Sequence, residues 1–246
     1  MNILIFGGTT EGRTLSCELA KRGESVSVSV ATSYGQETQG IHPGVRVLCG
    51  RRTEPEMQDL VKDFALCIDA THPYAVKASE NIRAACKAAG VEYKRLLRPA
   101  AGQAGAEAVP NAEAAAALLA PREGKILLTT GAKELGAFAA LAKERLVVRV
   151  LPSIASLTAC EQAGIAHKNI IAMQGPFTKE MNIATLRQYG IRWLVSKNGG
   201  TPGGFAEKMQ AAEECGAGLV VIARPRELGE SAEEILQEIQ QRGRKE

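Results

Sequence analysis

The chain of 246 residues carries 30 basic and 27 acidic side chains, giving a net charge of +3, and 45% of its residues are hydrophobic. This is the composition of an ordinary globular protein, long enough for one large or two small domains. No run of Lys or Arg forms a basic tract, so we expect no nucleic-acid partner. No apolar stretch approaches the ~20 residues that cross a membrane, and nothing resembles a signal peptide, so we expect no membrane partner.

The first 99 residues alternate short apolar runs with amphipathic stretches. In chain order, the pattern predicts strands at 3–6, 25–30, 46–49, 66–70 and 91–97, and helices at 11–22, 54–63 and 73–89. Gly23 and Gly90 close two of these helices, and Pro73 lies at the first turn of one. Alternating strands and helices predict a parallel sheet covered by helices on both faces.

A stretch rich in Gly and Ala at 99–105 is the candidate domain boundary, and the alternation restarts after it. The pattern then predicts strands at 126–130, 146–151, 169–173, 192–196 and 219–223, and helices at 133–143, 153–163, 178–189, 203–215 and 231–242. Two α/β units are therefore expected, at 1–99 and 100–246. The segments "ILIFGG" at 3–8 and "ILLTTG" at 126–131 show a limited internal similarity between these units.

The cysteines and histidines show no metal-ligand spacing. Six cysteines are scattered without a C-x-x-C pair, and Cys17, Cys67 and Cys86 lie in apolar or alanine-rich surroundings, where a thiol behaves as a small hydrophobe. We expect no metal site. Free cysteines are typical of a reducing compartment, so we expect a cytoplasmic protein.

The loop after the first predicted strand, "GGTTEGR" at 7–13, is the first candidate ligand site, because ligands of such sheets bind beyond the carboxyl ends of the strands. Gly7, Gly8 and Thr9 would let a phosphate approach the backbone at the start of a helix. The spacing G-G-x-x-x-G differs from the usual G-x-G-x-x-G, so a tight turn without a ligand stays open.

The segment after the second predicted strand bears on cofactor choice. Residues 31–34 contain no Asp or Glu that could bind a ribose 2′-hydroxyl. Small hydroxyl groups such as Ser33, with Arg13 or Arg51 nearby, suit a 2′-phosphate better. The pattern favours NADP over NAD.

His72, within "DATHPYA" at 69–75, follows the fourth predicted strand. It precedes Pro73, so it is either the N-cap of a helix or a ligand or proton donor. Both alternatives stay open.

A second loop set contains "GPF" at 175–177 and "SKNGG" at 196–200. Lys197 and Asn198 end a predicted strand, glycines follow, and Lys208 lies on the next predicted helix. Ammonium groups and amide donors suit a ligand with several carboxylates. A mobile surface loop is the alternative.

Taken together, the motifs resemble a known family. "GGTTEGR" at 7–13, "DATHPYA" at 69–75, "RLLRP" at 95–99, "LLTTG" at 127–131, "GPF" at 175–177, "KNGG" at 197–200 and "ARP" at 223–225 occur in the order of precorrin-6A reductases. The resemblance covers nearly the whole chain. Members of this family often carry Ser where Gly199 stands and Arg where Ala132 stands.

The resemblance implies an α/β fold of two Rossmann-like domains with parallel sheets and the active-site cleft between them. Residues 1–99 would bind NADPH and residues 100–246 the macrocycle. The implied reaction is NADPH-dependent reduction of a double bond in precorrin-6A or cobalt-precorrin-6A, giving the dihydro (6B) product in cobalamin (vitamin B12) biosynthesis. The tetrapyrrole substrate carries many carboxylates around an apolar rim. A monomer is compatible with the sequence.

The candidate site residues follow from the loops and the resemblance together. The cofactor-binding residues are Gly7, Gly8, Thr9, Thr10, Glu11, Gly12, Arg13, Ser33, Arg51, Thr71 and His72, of which His72 is also the candidate catalytic residue. The substrate-binding residues are Tyr74, Thr130, Gly131, Gly175, Pro176, Phe177, Lys197, Asn198, Gly199, Gly200 and Lys208.

Two alternatives remain at this point. Another NADP-dependent Rossmann reductase, such as a short-chain reductase or epimerase, would normally place a Y-x-x-x-K pair on a helix. Tyr34 and Tyr74 are followed at that spacing by Thr38 and Ala78, so neither supplies it. The second alternative is a two-lobed protein that binds an anionic ligand.

Overall fold

The structure, a computed structural model, describes residues 1–97, 105–200, 203–225 and 227–242. The chain forms two compact units, the first of Met1–Arg98 with Pro225–Glu246 and the second of Pro99–Arg224. The expected boundary at 99/100 and the last two residues of the "RLLRP" motif lie outside the described residues. The expected second domain, 100–246, is wrong in its last part, because Pro225–Glu246 belongs to the first unit.

Parallel strands alternate with helices in both units. The strands are β1 Asn2–Phe6, β2 Ser25–Val30, β3 Val45–Cys49, β4 Leu66–Asp69, β5 Glu92–Arg95, β6 Glu107–Val109, β7 Lys125–Leu128, β8 Leu146–Val150, β9 Ile170–Ala172, β10 Ile191–Lys197 and β11 Gly218–Ile222. The helices are α1 Thr10–Lys21, α2 Ser33–Gln39, α3 Glu54–Val61, α4 Val76–Ala89, α5 Ala112–Leu119, α6 Ile154–Gln162, α7 Lys179–Tyr189, α8 Phe205–Glu214 and α9 Ala232–Arg242.

The first unit is built on a five-stranded parallel sheet in the order β3-β2-β1-β4-β5. Strand β1 is central and buries both faces, because Ile3 and Ile5 join one hydrophobic cluster and Leu4 and Phe6 join another. Burial of both faces explains the unbroken apolar run of this strand.

Helix α9 packs on the first unit. Ile235 and Ile239 are buried in the same cluster as Ile3 and Ile5. Arg242 also forms a salt bridge with Glu92 of β5 at 2.6 Å. The amphipathic pattern of α9 predicted the helix, but these long-range contacts decide which unit it joins.

The second unit contains a six-stranded parallel sheet in the order β6-β11-β10-β7-β8-β9. Apart from β6, this order repeats that of the first unit, with β7 in the position of β1. The similar segments "ILIFGG" and "ILLTTG" therefore overlap the topologically equivalent strands β1 and β7. Both strands lie at the point where the strand order reverses, which is where ligands bind in open α/β sheets.

Two local predictions differ from the structure, and three elements were not predicted. Helix α4 begins at Val76 rather than at 73, because the N–H of Ala75 donates to the carbonyl of His72 and closes a turn. The predicted helix at 133–143 is a 3-10 helix at Ala132–Phe138 and a second at Lys143–Arg145. Helices α2 and α5 and strand β6 were not predicted. None of the helices in the described ranges is long and apolar enough to cross a membrane.

Candidate active site

The glycine-rich loop between β1 and α1 is tied to both neighbouring strands. The N–H of Gly7 donates to the carbonyl of Ser29 at 2.8 Å. The hydroxyl of Thr9 donates to the carbonyl of Ala70 at 2.9 Å and accepts from the N–H of Gly12 at 3.1 Å. Thr9 is thus the N-cap of α1 and also fixes the loop to the end of β4.

The three glycines of this loop have different roles. A Cβ on Gly7 would lie 2.7 Å from Cγ1 of Val28, and one on Gly12 would lie 2.8 Å from Cβ of Ala70. The close packing at both positions therefore requires glycine. Gly8 has φ +115° and a Cβ there would meet nothing within 4 Å. The backbone at Gly8 is therefore open, beside the N-terminal turn of α1 formed by Thr10 and Glu11, and this fits a phosphate-binding loop.

Arg52, and not Arg51, turns towards the end of β2. Its Nη1 donates to the hydroxyl of Ser29 at 2.8 Å and to the carbonyl of Gly50 at 3.1 Å, whereas Arg51 is exposed. Arg13 is exposed too, and Ser33 begins α2. Sequence reasoning missed Arg52. The only signal was a pair of adjacent arginines after a strand.

Thr71 is part of a buried ionic network rather than an open loop. Its hydroxyl donates to Oδ1 of Asp69 at 2.7 Å. Nη1 of Arg95 donates to the same oxygen at 2.7 Å and to Oγ1 of Thr71 at 3.2 Å, and Nη2 of Arg95 pairs with Glu227 at 2.7 Å. Asp69 and Arg95 are fully buried or nearly so. Asp69 and Arg95, charged residues at the ends of strands β4 and β5, were the signal for this network in the sequence.

His72 and Tyr74 lie together in the turn that precedes α4. Their rings stack with centroids 5.6 Å apart, and the N–H of Tyr74 donates to Nδ1 of His72 at 3.4 Å. His72 is exposed. The N-cap interpretation of His72 is wrong, because Ala75 holds the N-cap position of α4.

In the second unit, the segment after β7 is bonded to strand β10 at the equivalent edge. The N–H and the hydroxyl of Thr129 both donate to the carbonyl of Val195 at 2.9 Å. Next to it, the hydroxyl of Thr130 is buried with no hydrogen-bond partner among the described residues. Gly131 follows with φ +92° and begins the 3-10 helix Ala132–Phe138.

Lys197 and Asn198 have different environments. Nζ of Lys197 forms a salt bridge with Oε1 of Glu134 at 2.7 Å. Asn198 is buried, and its Oδ1 accepts from the N–H of Gly200 at 3.2 Å, while the N–H of Gly199 donates to the carbonyl of Lys197. The "KNGG" loop is therefore held by its own hydrogen bonds.

The "GPF" loop lies against the start of α8. A Cβ on Gly204 would be 3.5 Å from Cβ of Pro176, which joins Gly175 through a cis peptide bond. The guanidinium of Arg149 lies over the ring of Phe177, 4.0 Å from its centroid. Sequence reasoning missed Arg149, whose only signal is a single charge inside the apolar strand β8.

Lys208 is half-buried in α8, and its Nζ donates to the carbonyl of Gly203 at 3.0 Å. Burial and the charge of Arg149 lower the pKa of Lys208 to about 8. Burial alone lowers the pKa of Arg149 to about 10. Both side chains remain cationic at neutral pH, and this edge of the sheet is positively charged. Within the described ranges, no cluster of three His, Cys, Asp or Glu side chains could hold a metal ion.

Comparisons with known proteins cover almost the whole chain. The family model described as "Precorrin-6x reductase CbiJ/CobK" matches residues 2–240. The chain is 37% identical to the cobalt-precorrin-6A reductase of Priestia megaterium, over 91% of each chain. It is 32% identical to the precorrin-6A reductase of Mycobacterium tuberculosis strain H37Rv, over 91% of this chain and 88% of the relative. A solved structure titled "CobK precorrin-6A reductase" matches with TM-score 0.79 and 26% identity, covering 99% of this chain and 98% of that one. The chain therefore belongs to the precorrin-6x reductase family, CbiJ/CobK.

Proposed function

We propose that this protein reduces one double bond of precorrin-6A or of its cobalt complex, with NADPH as the reductant. The observation that carries the proposal is the match to precorrin-6x reductases across residues 2–240, which leaves no large part of the chain outside the family. A two-lobed binding protein without catalysis, or a reductase of another substrate class, has no such support.

The loop at Gly7, Gly8 and Gly12 is proposed to hold the cofactor. Its open backbone at Gly8 and the positive end of the α1 dipole beside it suit a pyrophosphate. Thr9 supports the loop and is engaged on both sides by Ala70 and Gly12, so it acts by shaping the turn. NADPH supplies the hydride when it is bound.

Selectivity for NADPH over NADH is proposed to rest on the end of β2. No acidic residue follows this strand at 31–34, so a 2′-phosphate would meet no negative charge there. Arg52 adds a cation beside Ser29 at the same edge. Arg13, Ser33 and Arg51 remain candidates for further contacts with the 2′-phosphate.

The loops of the second unit are proposed to hold the macrocycle through its carboxylates. Lys197 and Lys208 supply ammonium groups, and Phe177 supplies an apolar face. Thr130 offers a buried hydroxyl without a hydrogen-bond partner among the described residues. Hydride transfer needs the two reacting carbons close together, so positioning is the main contribution of these residues.

His72 is proposed to position the cofactor or to deliver the proton that completes the reduction. It is exposed and stacked on Tyr74, so a reacting group could reach it. The acceptor is a conjugated, electrophilic system, and water can supply the proton. We therefore favour the positioning role.

The test is a turnover assay with purified protein and each macrocycle in turn. We expect nicotinamide absorbance to fall only when protein and macrocycle are both present, faster with NADPH than with NADH. Comparing the metal-free ring with its cobalt complex identifies the preferred substrate. Failure to oxidise either cofactor with either macrocycle would refute the proposal.

A further inference from the structure

Arg149 is a buried cation whose bonding is incomplete. It is 6% exposed in strand β8. Nη1 donates to Oδ1 of Asn182 at 2.9 Å, and the ring of Phe177 lies under the guanidinium. Nη2 is buried and has no hydrogen-bond partner among the described residues. A buried guanidinium with an unused donor is costly, so such a group usually serves a ligand or a counter-ion.

Lys208 is the second cation of this cluster. Its Nζ donates to the carbonyl of Gly203, and a Cβ on the adjacent Gly204 would lie 3.6 Å from the carbonyl of Phe177, the residue whose ring lies against Arg149. Burial, and after it the charge of Arg149, lowers the pKa of Lys208. Among the described residues, neither cation forms a salt bridge with a carboxylate. Glu207, the nearest acidic neighbour in sequence, keeps Oε2 buried without a hydrogen-bond partner. The three side chains sum to one positive charge, and a single carboxylate would neutralise it.

We propose that Arg149 and Lys208 together bind one peripheral carboxylate of the tetrapyrrole, which makes Arg149 a substrate-binding residue. This inference rests on the proposed function and deepens it. The carboxylate accepts from Nη2 of Arg149 and from Nζ of Lys208, whose ammonium has two further N–H donors besides the one bonded to the carbonyl of Gly203. Asn182 and Phe177 hold the guanidinium from its other sides, so its direction is fixed before the ligand arrives.

A purely structural role for Arg149 accounts for less of the geometry. The bond to Asn182 uses only Nη1, and Asn182 is held independently through its Nδ2, which donates to the carbonyl of Thr178 at 2.9 Å. The structural role leaves Nη2 without an acceptor among the described residues, and it leaves Arg149, Lys208 and Glu207 with one net positive charge. A bound carboxylate satisfies both.

The test compares Arg149→Met, Lys208→Met and the conservative Arg149→Lys with the wild type. Arg187→Met is the matched control, because Arg187 is an exposed cation of the same unit that pairs only loosely with Glu214. Three quantities are measured: the KM for the macrocycle in turnover, the Kd for uroporphyrin as a stable tetrapyrrole with carboxylates around its ring, and the Kd for NADPH. Circular dichroism establishes that each variant is folded.

We expect Arg149→Met and Lys208→Met each to raise the KM and the uroporphyrin Kd by about 10- to 100-fold, the range for one charge-assisted hydrogen bond. Arg149→Lys should lose less, since it keeps the charge but not the planar guanidinium, which can reach Asn182 and the carboxylate at once. The Kd for NADPH should not change, and Arg187→Met should match the wild type. The double variant should lose less than the product of the single losses, because both residues hold one group.

Folded variants that keep wild-type KM and uroporphyrin Kd would overturn the inference, as would an equal loss of NADPH affinity. If the wild type reduces neither macrocycle but binds uroporphyrin through Arg149 and Lys208, the proposed function fails and the carboxylate site stands. If the wild type reduces the macrocycle and the variants do so equally well, the function stands and the carboxylate site fails. If uroporphyrin does not bind, the KM values decide.

Discussion

Replacing Lys208 with Met should stabilise the protein in the absence of ligand. Burial and the charge of Arg149 lower the pKa of Lys208 from 10.5 to about 8 in the folded chain. In the unfolded chain the same ammonium is solvated and keeps its ordinary pKa. The unfolded state therefore binds this proton more tightly, and the charge of Lys208 destabilises the fold at every pH below about 8.

The size of the effect follows from the two pKa values. The interval from 10.5 to about 8 corresponds to about 3 kcal/mol, at about 1.4 kcal/mol per pH unit. Lys208 is only half-buried, so solvent screening reduces this figure. The variant also leaves the carbonyl of Gly203 without its donor, which costs about 1 kcal/mol. We expect a net gain of about 1 kcal/mol near pH 7, shrinking as the pH rises from about 8 towards 10.5.

The assay is thermal unfolding of the ligand-free protein near pH 7 and near pH 9, with Lys168→Met as the control. Lys168 is exposed in the same unit, so its loss should change stability little. A gain of 1 kcal/mol corresponds to a rise in Tm of about 2–4 °C for a chain of this size. The reasoning is refuted if Lys208→Met is less stable than the wild type near pH 7, or if its advantage does not shrink at the higher pH.

Four further predictions concern the ligands. Gly8→Asp should abolish NADPH binding in calorimetry, because it adds strain at φ +115° and a negative charge beside the phosphate; unchanged affinity would place the cofactor elsewhere. Arg52→Met should reduce the preference for NADPH over NADH more than Arg51→Met does, as measured by the ratio of the kcat/KM values for the two cofactors. A larger effect of Arg51→Met would identify Arg51 as the residue that recognises the 2′-phosphate. Lys197→Ala should weaken turnover of the macrocycle while the Kd for NADPH stays nearly constant. If turnover and NADPH affinity fall equally, the loops of the second unit bind the cofactor instead of the macrocycle. His72→Asn should lower kcat by less than about 10-fold, whereas a loss of about 100- to 10,000-fold would identify His72 as the general acid.

Most of the fold could be predicted because its strands are buried on both faces. Strands such as β1 and β4 are short and largely apolar runs, so their positions follow from local sequence. Strand β6, with three residues, is too short to stand out. The placement of α9 could not be predicted, because Ile235 and Ile239 would suit either hydrophobic core and only long-range packing selects the first.

The candidate site was predicted where it follows directly from strand ends. Parallel strands place their carboxyl ends on one edge of a sheet, so the sequence could indicate that the loops at Gly7 and Lys197 lie at such an edge. Arg149 could not, because one charge in an apolar strand gives no sign of its surroundings. Its burial depends on Phe177 and Asn182, which lie far along the chain.

The transfer of hydrogen from the cofactor to the ring tests the central claim most directly. NADPH carrying deuterium at the transferable position is mixed with the protein and the macrocycle, and the product is analysed by mass spectrometry. The proposed function predicts one deuterium on a ring carbon for each cofactor oxidised, and no label when the protein is omitted. A product without deuterium, or cofactor oxidation that leaves the macrocycle unchanged, would contradict it.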